Sequence, residues 1–177
     1  YDALGRKVRE TGFDGVVTRH SYDARGFLTE TTRAQGTAAE ATTARRYDSL
    51  GRAVAELSAA GRALITVSST PAEIETIWAQ YGIDHEYDLI GRRISSTDAM
   101  GRKTLYFYGA ANRLAYSVNP LGEVQQSEYN ALGQLAAEAR YATRISVSGL
   151  TGGAIVDALS TRIAAITNAA IDSRTTY

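Results

Sequence analysis

Short runs of strand-forming residues, separated by glycine, make up most of the chain. These runs are rich in Thr, Val, Ile, Tyr and Phe, which favour β-strands. The glycines between them predict tight turns. Each pair of runs therefore predicts two antiparallel strands, each about 20 Å long at roughly 3.3 Å per residue. The clearest runs are Arg92–Asp98, Arg102–Tyr108, Arg113–Val118 and Glu123–Tyr129.

Apolar and polar positions alternate only weakly along these runs. Leu105 and Phe107 share one face of their run, but Tyr106 and Tyr108 lie on the other face. A sheet that packs one face on a thick core shows a cleaner alternation. We therefore expect a single thin sheet with solvent near both faces, stabilised by strand pairing and by neighbouring repeats.

A helical pattern interrupts the runs at "TPAEIETIWAQYG", Thr70–Gly82. Thr70 is a good N-cap, Pro71 suits the first helical position, and Glu73 completes a capping box. Four apolar side chains fall on one face, and Gly82 suits a C-terminal stop. The segment predicts a helical insertion between two strands, Arg62–Ser69 and Asp84–Tyr87.

A second helical pattern lies in the tail, Gly149–Ser173. Its apolar residues recur at steps of three and four, which indicates an amphipathic helix. Both helices are interpreted as packing an apolar stripe over the sheet, although a plug or a docking surface for a cargo or partner stays open. The segment "TGGAIVDA" lacks the GxGxxG and GK[ST] patterns of phosphate-binding loops. The periodic positions are Val156, Leu159, Ile163, Ile166 and Ala170.

A six-residue motif, Tyr-Asp-x-x-Gly-Arg, recurs along the chain. Its Tyr residues are separated by 21, 25, 40, 21 and 21 residues. A regular period of this size predicts a repeat architecture. A second glycine lies seven residues before several of these Tyr residues, so each unit predicts two turns and two strands. The motif copies start at Tyr1, Tyr22, Tyr47, Tyr87, Tyr108 and Tyr129.

The Asp-x-x-Gly core of the motif matches the preferences of a type I turn. Asp favours the first position, where its carboxylate accepts backbone N–H groups, and Gly favours the last. The following Arg is placed to pair with the Asp across the turn, an exposed pair worth about 0–1 kcal/mol. The residues predicted to have this structural role are Tyr1, Asp2, Gly5, Arg6, Tyr22, Asp23, Gly26, Tyr47, Asp48, Gly51, Arg52, Tyr87, Asp88, Gly91, Arg92, Tyr108, Tyr129 and Gly133.

The motif Tyr ends a strand in each repeat. We expect its ring to stack on neighbouring Tyr rings or aliphatic side chains along the sheet. The alternative is a row of tyrosines that forms a stripe for binding sugar or peptide.

Charge and composition exclude several kinds of function. Lys plus Arg and Asp plus Glu both number 19, so the formal net charge is zero. A neutral chain offers no electrostatic surface for nucleic acid or anionic lipid, and no apolar run is long enough to cross a membrane. The chain has no cysteine, and its two histidines, His20 and His85, each precede a motif Tyr by two residues. This matched placement indicates a structural position more than a metal ligand, and we expect no metal, no cofactor and no catalytic residue.

The motif copies "YDALGR", "YDARGF", "YDSLGR" and "YDLIGR" resemble the YD repeats of the Rhs family, which includes bacterial Rhs polymorphic toxins, Tc toxin B and C components and, more distantly, teneurins. The resemblance covers the chain from Tyr1 to about Tyr141. It implies a mainly β fold: antiparallel β-hairpin repeats that form part of a curved single-sheet spiral or shell, here with two inserted or appended α-helices.

The resemblance also implies a function. In the bacterial toxins such a shell encloses a C-terminal toxic domain, so the chain is expected to be a structural wall segment of a large secreted or exported bacterial protein. Expected partners are other YD repeats of the same parent chain, the encapsulated toxin domain and components of the delivery machinery. The segment "NPLGE", Asn119–Glu123, is only superficially similar to the family's DPxGL cleavage motif, and we interpret it as an ordinary turn.

Two alternatives to a wall segment stay open. One is an extracellular recognition or adhesion module that binds glycan or a partner protein. The other is an enzyme whose site is completed by missing parts. The expected organisation is a repeat array at residues 1–148, with the helical insertion at about 70–82, and an amphipathic helical segment at 149–177 that returns to the next repeat. Because the chain begins on a motif Tyr and ends on Tyr177, we expect it to be a segment of a longer protein.

Overall fold

Antiparallel β-strands in chain order dominate the computed structural model, which describes Tyr1–Tyr177. The strands are β1 Arg9–Thr11, β2 Val17–Tyr22, β3 Leu28–Arg33, β4 Ala41–Tyr47, β5 Ala53–Leu57, β6 Gly82–Tyr87, β7 Arg93–Asp98, β8 Lys103–Tyr108, β9 Leu114–Val118, β10 Val124–Tyr129, β11 Leu135–Arg140, β12 Gly153–Ala154 and β13 Ser173–Thr176. The helices are α1 Ala59–Ala63, α2 Pro71–Tyr81 and α3 Asp157–Ile166.

Consecutive strands pair with one another from β1 to β11. The last strand, β13, pairs with β11, and the short β12 lies parallel to β8. This arrangement confirms the predicted mainly β fold class of antiparallel hairpin repeats in a single sheet, with three helices where two were expected. The four strands predicted most clearly from the sequence, β7 to β10, each begin one residue later than expected.

The chain divides into two compact units, which are described separately. Unit 1 comprises Tyr1–Asp84 with Asp98–Met100, and unit 2 comprises His85–Thr97 with Gly101–Tyr177. None of the three helices has the length and hydrophobicity that spanning a bilayer requires.

The predicted insertion helix is confirmed in unit 1 as α2. The Thr70 hydroxyl accepts from the Glu73 N–H at 3.3 Å, and the Glu73 carboxylate accepts from the Thr70 N–H at 2.7 Å, which forms the capping box. Pro71 is the first helical residue and Gly82 the C-cap.

The predicted strand Arg62–Ser69 is wrong, because the extra helix α1 and a series of turns occupy this segment. The Ser58 hydroxyl accepts from the Gly61 N–H and caps α1. Arg62 then forms an ion pair with Glu30 of β3 at 2.5 Å. Local capping and this long-range ion pair therefore override the strand-forming composition of the segment.

Helix α1 packs on one face of the unit 1 strands, and α2 packs against α1. Ala44 and Leu57 are paired across β4 and β5 and are buried. A Cβ atom at Gly61 of α1 would lie 2.7 Å from the Leu57 side chain and 2.6 Å from Tyr81 of α2, so only glycine fits there. The contact brings both helices close to the sheet.

In unit 2 a buried apolar cluster covers one sheet face. Leu105 and Phe107 of β8 belong to it, while Tyr106 between them points to the other face. The expected sheet with solvent near both faces is therefore wrong for this face, because α3 and the irregular segment before it supply apolar side chains. The cluster comprises Leu105, Phe107, Val118, Val124, Ile145, Leu150, Leu159 and Ile163.

The tail helix α3 is shorter than its apolar period predicts. Leu159 and Ile163 are buried and Ile166 packs against the cluster, which confirms the packing interpretation. Val156 is instead the N-cap, and Ala170 lies beyond the helix end. The helix stops at Thr167 because the next residues form a turn that the Asp172 carboxylate holds, accepting from the Asn168 N–H at 2.7 Å.

Candidate functional site

The five residues from the second to the sixth motif position, for example Asp48–Arg52, are termed a motif turn. The Asp48 N–H donates to the Arg52 carbonyl at 3.0 Å, and the Gly51 N–H donates to the Asp48 carbonyl at 3.2 Å. The Asp48 carboxylate accepts from the Leu50 and Arg52 N–H groups, both at 2.9 Å. Gly51 has a φ of 79°, which glycine adopts without a Cβ clash. The result is a type I turn with a left-handed fourth residue, a common hairpin connection.

The same two backbone hydrogen bonds recur in repeats that lack the Asp or the Gly. Asn130 replaces Asp, and its side-chain oxygen accepts from the Leu132 and Gln134 N–H groups at 3.0 Å. Gly109 also stands in the Asp position, and Asn112 takes the place of glycine with a φ of 56°. Asn tolerates this left-handed conformation better than most residues. The turn shape therefore depends on the backbone, and the carboxylate adds to it.

The motif Arg pairs with its own Asp, as the sequence analysis expected. Arg52 Nε lies 2.7 Å from Asp48 Oδ2, and the pairs Asp2–Arg6 and Asp88–Arg92, also four residues apart, have the same distance. Hydrogen bonds from the Arg52 backbone N–H, and then from its guanidinium, hold the pKa of the Asp48 carboxyl below its ordinary value of 3.8, and the opposing effect of desolvation does not reverse this.

The motif Arg also contacts the motif Tyr of the following repeat. The Arg6 guanidinium lies 4.6 Å from the centre of the Tyr22 ring, a cation–π distance. Where Phe27 replaces the Arg, its ring stacks on Tyr47 at 5.2 Å. These contacts are therefore Arg–Tyr and Phe–Tyr contacts, and not the expected stacking of Tyr on Tyr. Consecutive motif turns are two strands apart, about 9.5 Å, which exceeds the distance for ring contact. Further Arg–Tyr contacts are Arg92 with Tyr108 and Arg113 with Tyr129.

The hydroxyl of the motif Tyr donates to a backbone carbonyl of the preceding repeat. The acceptor is in each case the residue directly after the sixth motif position. Every such bond ties two neighbouring hairpins together at the edge where the motif turns lie. The pairs are Tyr22 to Lys7 at 2.7 Å, Tyr47 to Leu28 at 2.8 Å and Tyr108 to Arg93 at 2.7 Å.

A β-bulge accompanies the motif Tyr in several hairpins. The register shifts by one residue at the Tyr, which locally bends the strand and changes the direction of its side chain. The sequence analysis missed these bulges, since no residue type marks them. They lie at Ser21/Tyr22, Arg46/Tyr47, Phe107/Tyr108 and Glu128/Tyr129.

The structure places the two histidines in different surroundings. His85 Nδ1 lies 3.0 Å from the Ser96 hydroxyl, which in turn lies 3.3 Å from the Tyr106 hydroxyl. His20 Nε2 lies 3.6 Å from the Glu10 carboxylate. Their matched sequence position therefore does not give them matched partners. No group of three or more His, Asp or Glu side chains is arranged to hold a metal ion.

The segment "NPLGE" is a turn, as predicted. The Asn119 N–H donates to the Glu123 carbonyl at 3.1 Å, and the Gly122 N–H donates to Asn119 at 2.9 Å. It connects β9 and β10 at the edge opposite the motif turns of unit 2. A nearby groove of about 810 Å³ is lined by polar side chains, among them Thr104, Gln125 and Arg140, and none of the motif residues lines it.

The family comparison agrees with the repeat pattern. A family model described as RHS Repeat matches residues 1–38 and 87–124. A crystal structure of TcdB2-TccC3-Cdc42 is 19% identical with a TM-score of 0.46, over 71% of this chain and 6% of that chain. A crystal structure of TcdB2-TccC3-TEV is 16% identical with a TM-score of 0.41, over 82% of this chain and 8% of that chain. The match thus covers less than a tenth of the length of either of those two chains. No curated protein matches it.

Proposed function

We propose that this chain, which belongs to the Rhs/YD-repeat family, is a wall segment of a large exported bacterial toxin. In this proposal its hairpins form part of a hollow shell around a C-terminal toxic domain. The segment itself has a structural role and no catalytic one. Its partners are the neighbouring YD repeats, the enclosed domain and components of the delivery machinery.

The observation that carries the proposal is the use of the motif side chains. In unit 1 the Tyr47 hydroxyl donates to Leu28 of the preceding repeat, and its ring stacks on Phe27. Asp48 and Arg52 pair with each other within the turn. A motif whose polar groups are satisfied by its own and the adjacent hairpin joins repeats together, which is what a continuous wall requires.

The same contacts argue against the recognition alternative. A binding stripe needs tyrosine faces and hydroxyls that are open to a ligand. The Tyr22 and Tyr108 rings each have an Arg guanidinium over one face, at 4.6 and 4.9 Å, and their hydroxyls donate to backbone carbonyls. A glycan or peptide would have to displace these contacts.

We propose that the Tyr, Asp, Gly and Arg residues of the motif act together to connect neighbouring repeats. The division into a repeat array at residues 1–148 and a helical segment at 149–177 stays a prediction. Within that prediction, α3 seals one face of the last hairpins before the chain returns to the sheet as β13.

Imaging of the intact parent protein tests the wall function. Electron microscopy of the purified parent is expected to reveal a closed hollow particle with density inside. As a matched control, a parent that lacks its C-terminal domain is expected to keep the same outer shape with an empty interior. An open, elongated particle in both samples would overturn the proposal.

A further inference from the structure

A row is here a series of repeat hairpins that lie side by side in the sheet. We propose that the exposed aliphatic side chains at the tips of the motif turns form the contact between one row and a neighbouring row of the same parent chain. This inference rests on the proposed wall function and adds to it the residues that hold successive rows together. The occupant of this surface is therefore another row of RHS-repeat turns.

The tips carry the same kind of residue at the same motif position. In unit 1, Leu4 and Leu50 are 77% and 75% exposed. In unit 2, Ile90 and Leu132 are 65% and 85% exposed. All four occupy the fourth motif position, directly before the left-handed glycine.

Neither turn formation nor packing explains these residues. Tight turns favour Gly, Pro, Asn, Asp and Ser, and an aliphatic residue adds nothing to the turn hydrogen bonds. Arg25 and Ala111 occupy the same position in other repeats, whose turns have the same two backbone bonds. Since the backbone does not need an aliphatic side chain and the side chain is largely exposed within its own unit, a contact outside the unit accounts for it.

The surroundings of the tips favour an apolar, uncharged partner. Asp2 and Asp48 next to the tips are paired with Arg6 and Arg52, so the local charges compensate. The edge opposite the motif turns also exposes apolar tips, Phe13 in unit 1 and Leu121 in unit 2.

A second row of the same hairpins offers the matching chemistry. Its turns recur at the same interval of about 9.5 Å, twice the strand spacing.

The available area favours a tethered row over a free second copy. A leucine tip offers about 100 Å² of apolar surface, from the burial energy and area coefficient of such side chains. The two tips of a unit therefore provide about 200 Å², far below the roughly 800 Å² per partner of a stable complex. Rows of one chain need no such area, because tethering raises their effective concentration.

Hydroxyl-radical footprinting of the intact parent tests the inference, with the unfolded parent as each residue's reference. Leu50 and Leu132 are expected to be oxidised at least about fivefold more slowly in the folded parent, which is the signature of burial. Val67, which is 111% exposed and lies outside the motif, serves as the control and should change less than about twofold. Equal labelling of Leu50, Leu132 and Val67 would overturn the inference.

The other occupants are outcomes of the same experiment. If the protection disappears on dilution, a second copy covers the tips and the inference is wrong. If it disappears when the C-terminal domain is removed, the cargo covers them and the inference is equally wrong. Protection that survives both treatments supports contact between rows of one chain.

A pair of variants in one turn adds a second readout. Leu50→Asn keeps a turn-favouring residue, so the hairpin should form, but the parent is expected to lose its protection at the opposing tips. Ser49→Asn, at the adjacent exposed position, is the matched control and should change nothing. An unmutated parent particle that is hollow while its Leu50 and Leu132 label freely would refute the inference and leave the wall function intact.

Discussion

At the scale of single residues, the repeats differ in how they supply the same turn. Asp48, Asn130 and Gly109 occupy equivalent positions, and the two backbone hydrogen bonds form in each case. The side-chain oxygen of Asp and Asn adds acceptors for two N–H groups, and only Asp adds an ion pair with the Arg that follows. The carboxylate is therefore the part of the motif turn that titrates.

The Asp48 turn is expected to loosen in acid. Because the folded pKa of Asp48 lies below its ordinary value of 3.8, the stabilisation is complete above that value and is lost as the pH falls through the lower folded pKa. Hydrogen exchange of the Gly51 and Arg52 amides, corrected for intrinsic rates, should therefore lose protection as the pH falls below about 4. The Asn130 turn serves as the internal control.

The variant Asp48→Asn separates the charge from the acceptor. It keeps the side-chain oxygen that accepts backbone N–H groups and removes the ion pair with Arg52. The acid-dependent loss of protection at Gly51 should therefore disappear. Unchanged acid dependence in this variant would show that another group titrates.

The Tyr47 hydroxyl provides a second prediction at this scale. Tyr47→Phe removes its hydrogen bond to the Leu28 carbonyl and leaves the ring stack on Phe27 in place. The free energy of unfolding should fall by about 1 kcal/mol, the usual value for one hydrogen bond. Denaturant titration measures it, with Tyr81→Phe as the control. The structure shows no hydrogen bond for the Tyr81 hydroxyl, so that variant should stay within about 0.5 kcal/mol of the starting protein.

At the scale of secondary-structure elements, local signals in the sequence were sufficient in some places and not in others. The helix α2 follows from Thr70, Pro71 and Glu73, which act on neighbouring backbone groups. The helix α1 did not follow, because Arg62 is held by Glu30, which lies 32 residues away in the sequence. Contacts of this kind depend on which strands become neighbours, and composition does not reveal that.

The candidate site was likewise only partly predictable. The Asp–Gly turns and the Asp–Arg pairs lie within five consecutive residues, and the sequence indicated both. The acceptors of the Tyr hydroxyls, such as Lys7 and Leu28, are backbone carbonyls and carry no residue signature. The cluster in unit 2 was missed because Ile145 and Leu150 come from an irregular segment with no apolar period.

Gly122 and Gly101 provide a matched pair for testing a turn between strands. Both have a positive φ, 83° and 74°, so alanine is disfavoured at each by about 1–2 kcal/mol. A Cβ at Gly122 would in addition overlap the Ile145 carbonyl oxygen, whereas a Cβ at Gly101 would meet nothing within 4 Å. Gly122→Ala should therefore destabilise unit 2 by clearly more than Gly101→Ala does, as measured by denaturant titration. Equal effects would mean that the segment at Ile145 moves away freely.

At the scale of the whole molecule, the chain is a series of repeats that are linked to their neighbouring repeats by side-chain contacts. The hydroxyl bonds and the Arg–Tyr contacts connect each repeat to the one before or after it. In arrays of this type the stability is approximately a sum of repeat and nearest-neighbour terms. The stability of the array then depends more on whether each turn stays at its own edge of the sheet than on the total number of residues.

Excision of a complete repeat from the parent tests this dependence. Deleting Asp2–Tyr22 joins Tyr1 to Asp23, which restores an intact motif and removes two antiparallel strands, so every later turn stays at its own edge. The melting midpoint should stay within about 4 °C of the parent. Deleting only Gly12–Tyr22 removes one strand, which leaves β1 and β3 running in the same direction across a turn built for antiparallel strands. This shorter deletion is expected to abolish cooperative melting, because a two-strand hairpin turn cannot connect parallel strands. If both deletions melted alike, the repeats would not be held in register by contacts between adjacent motifs.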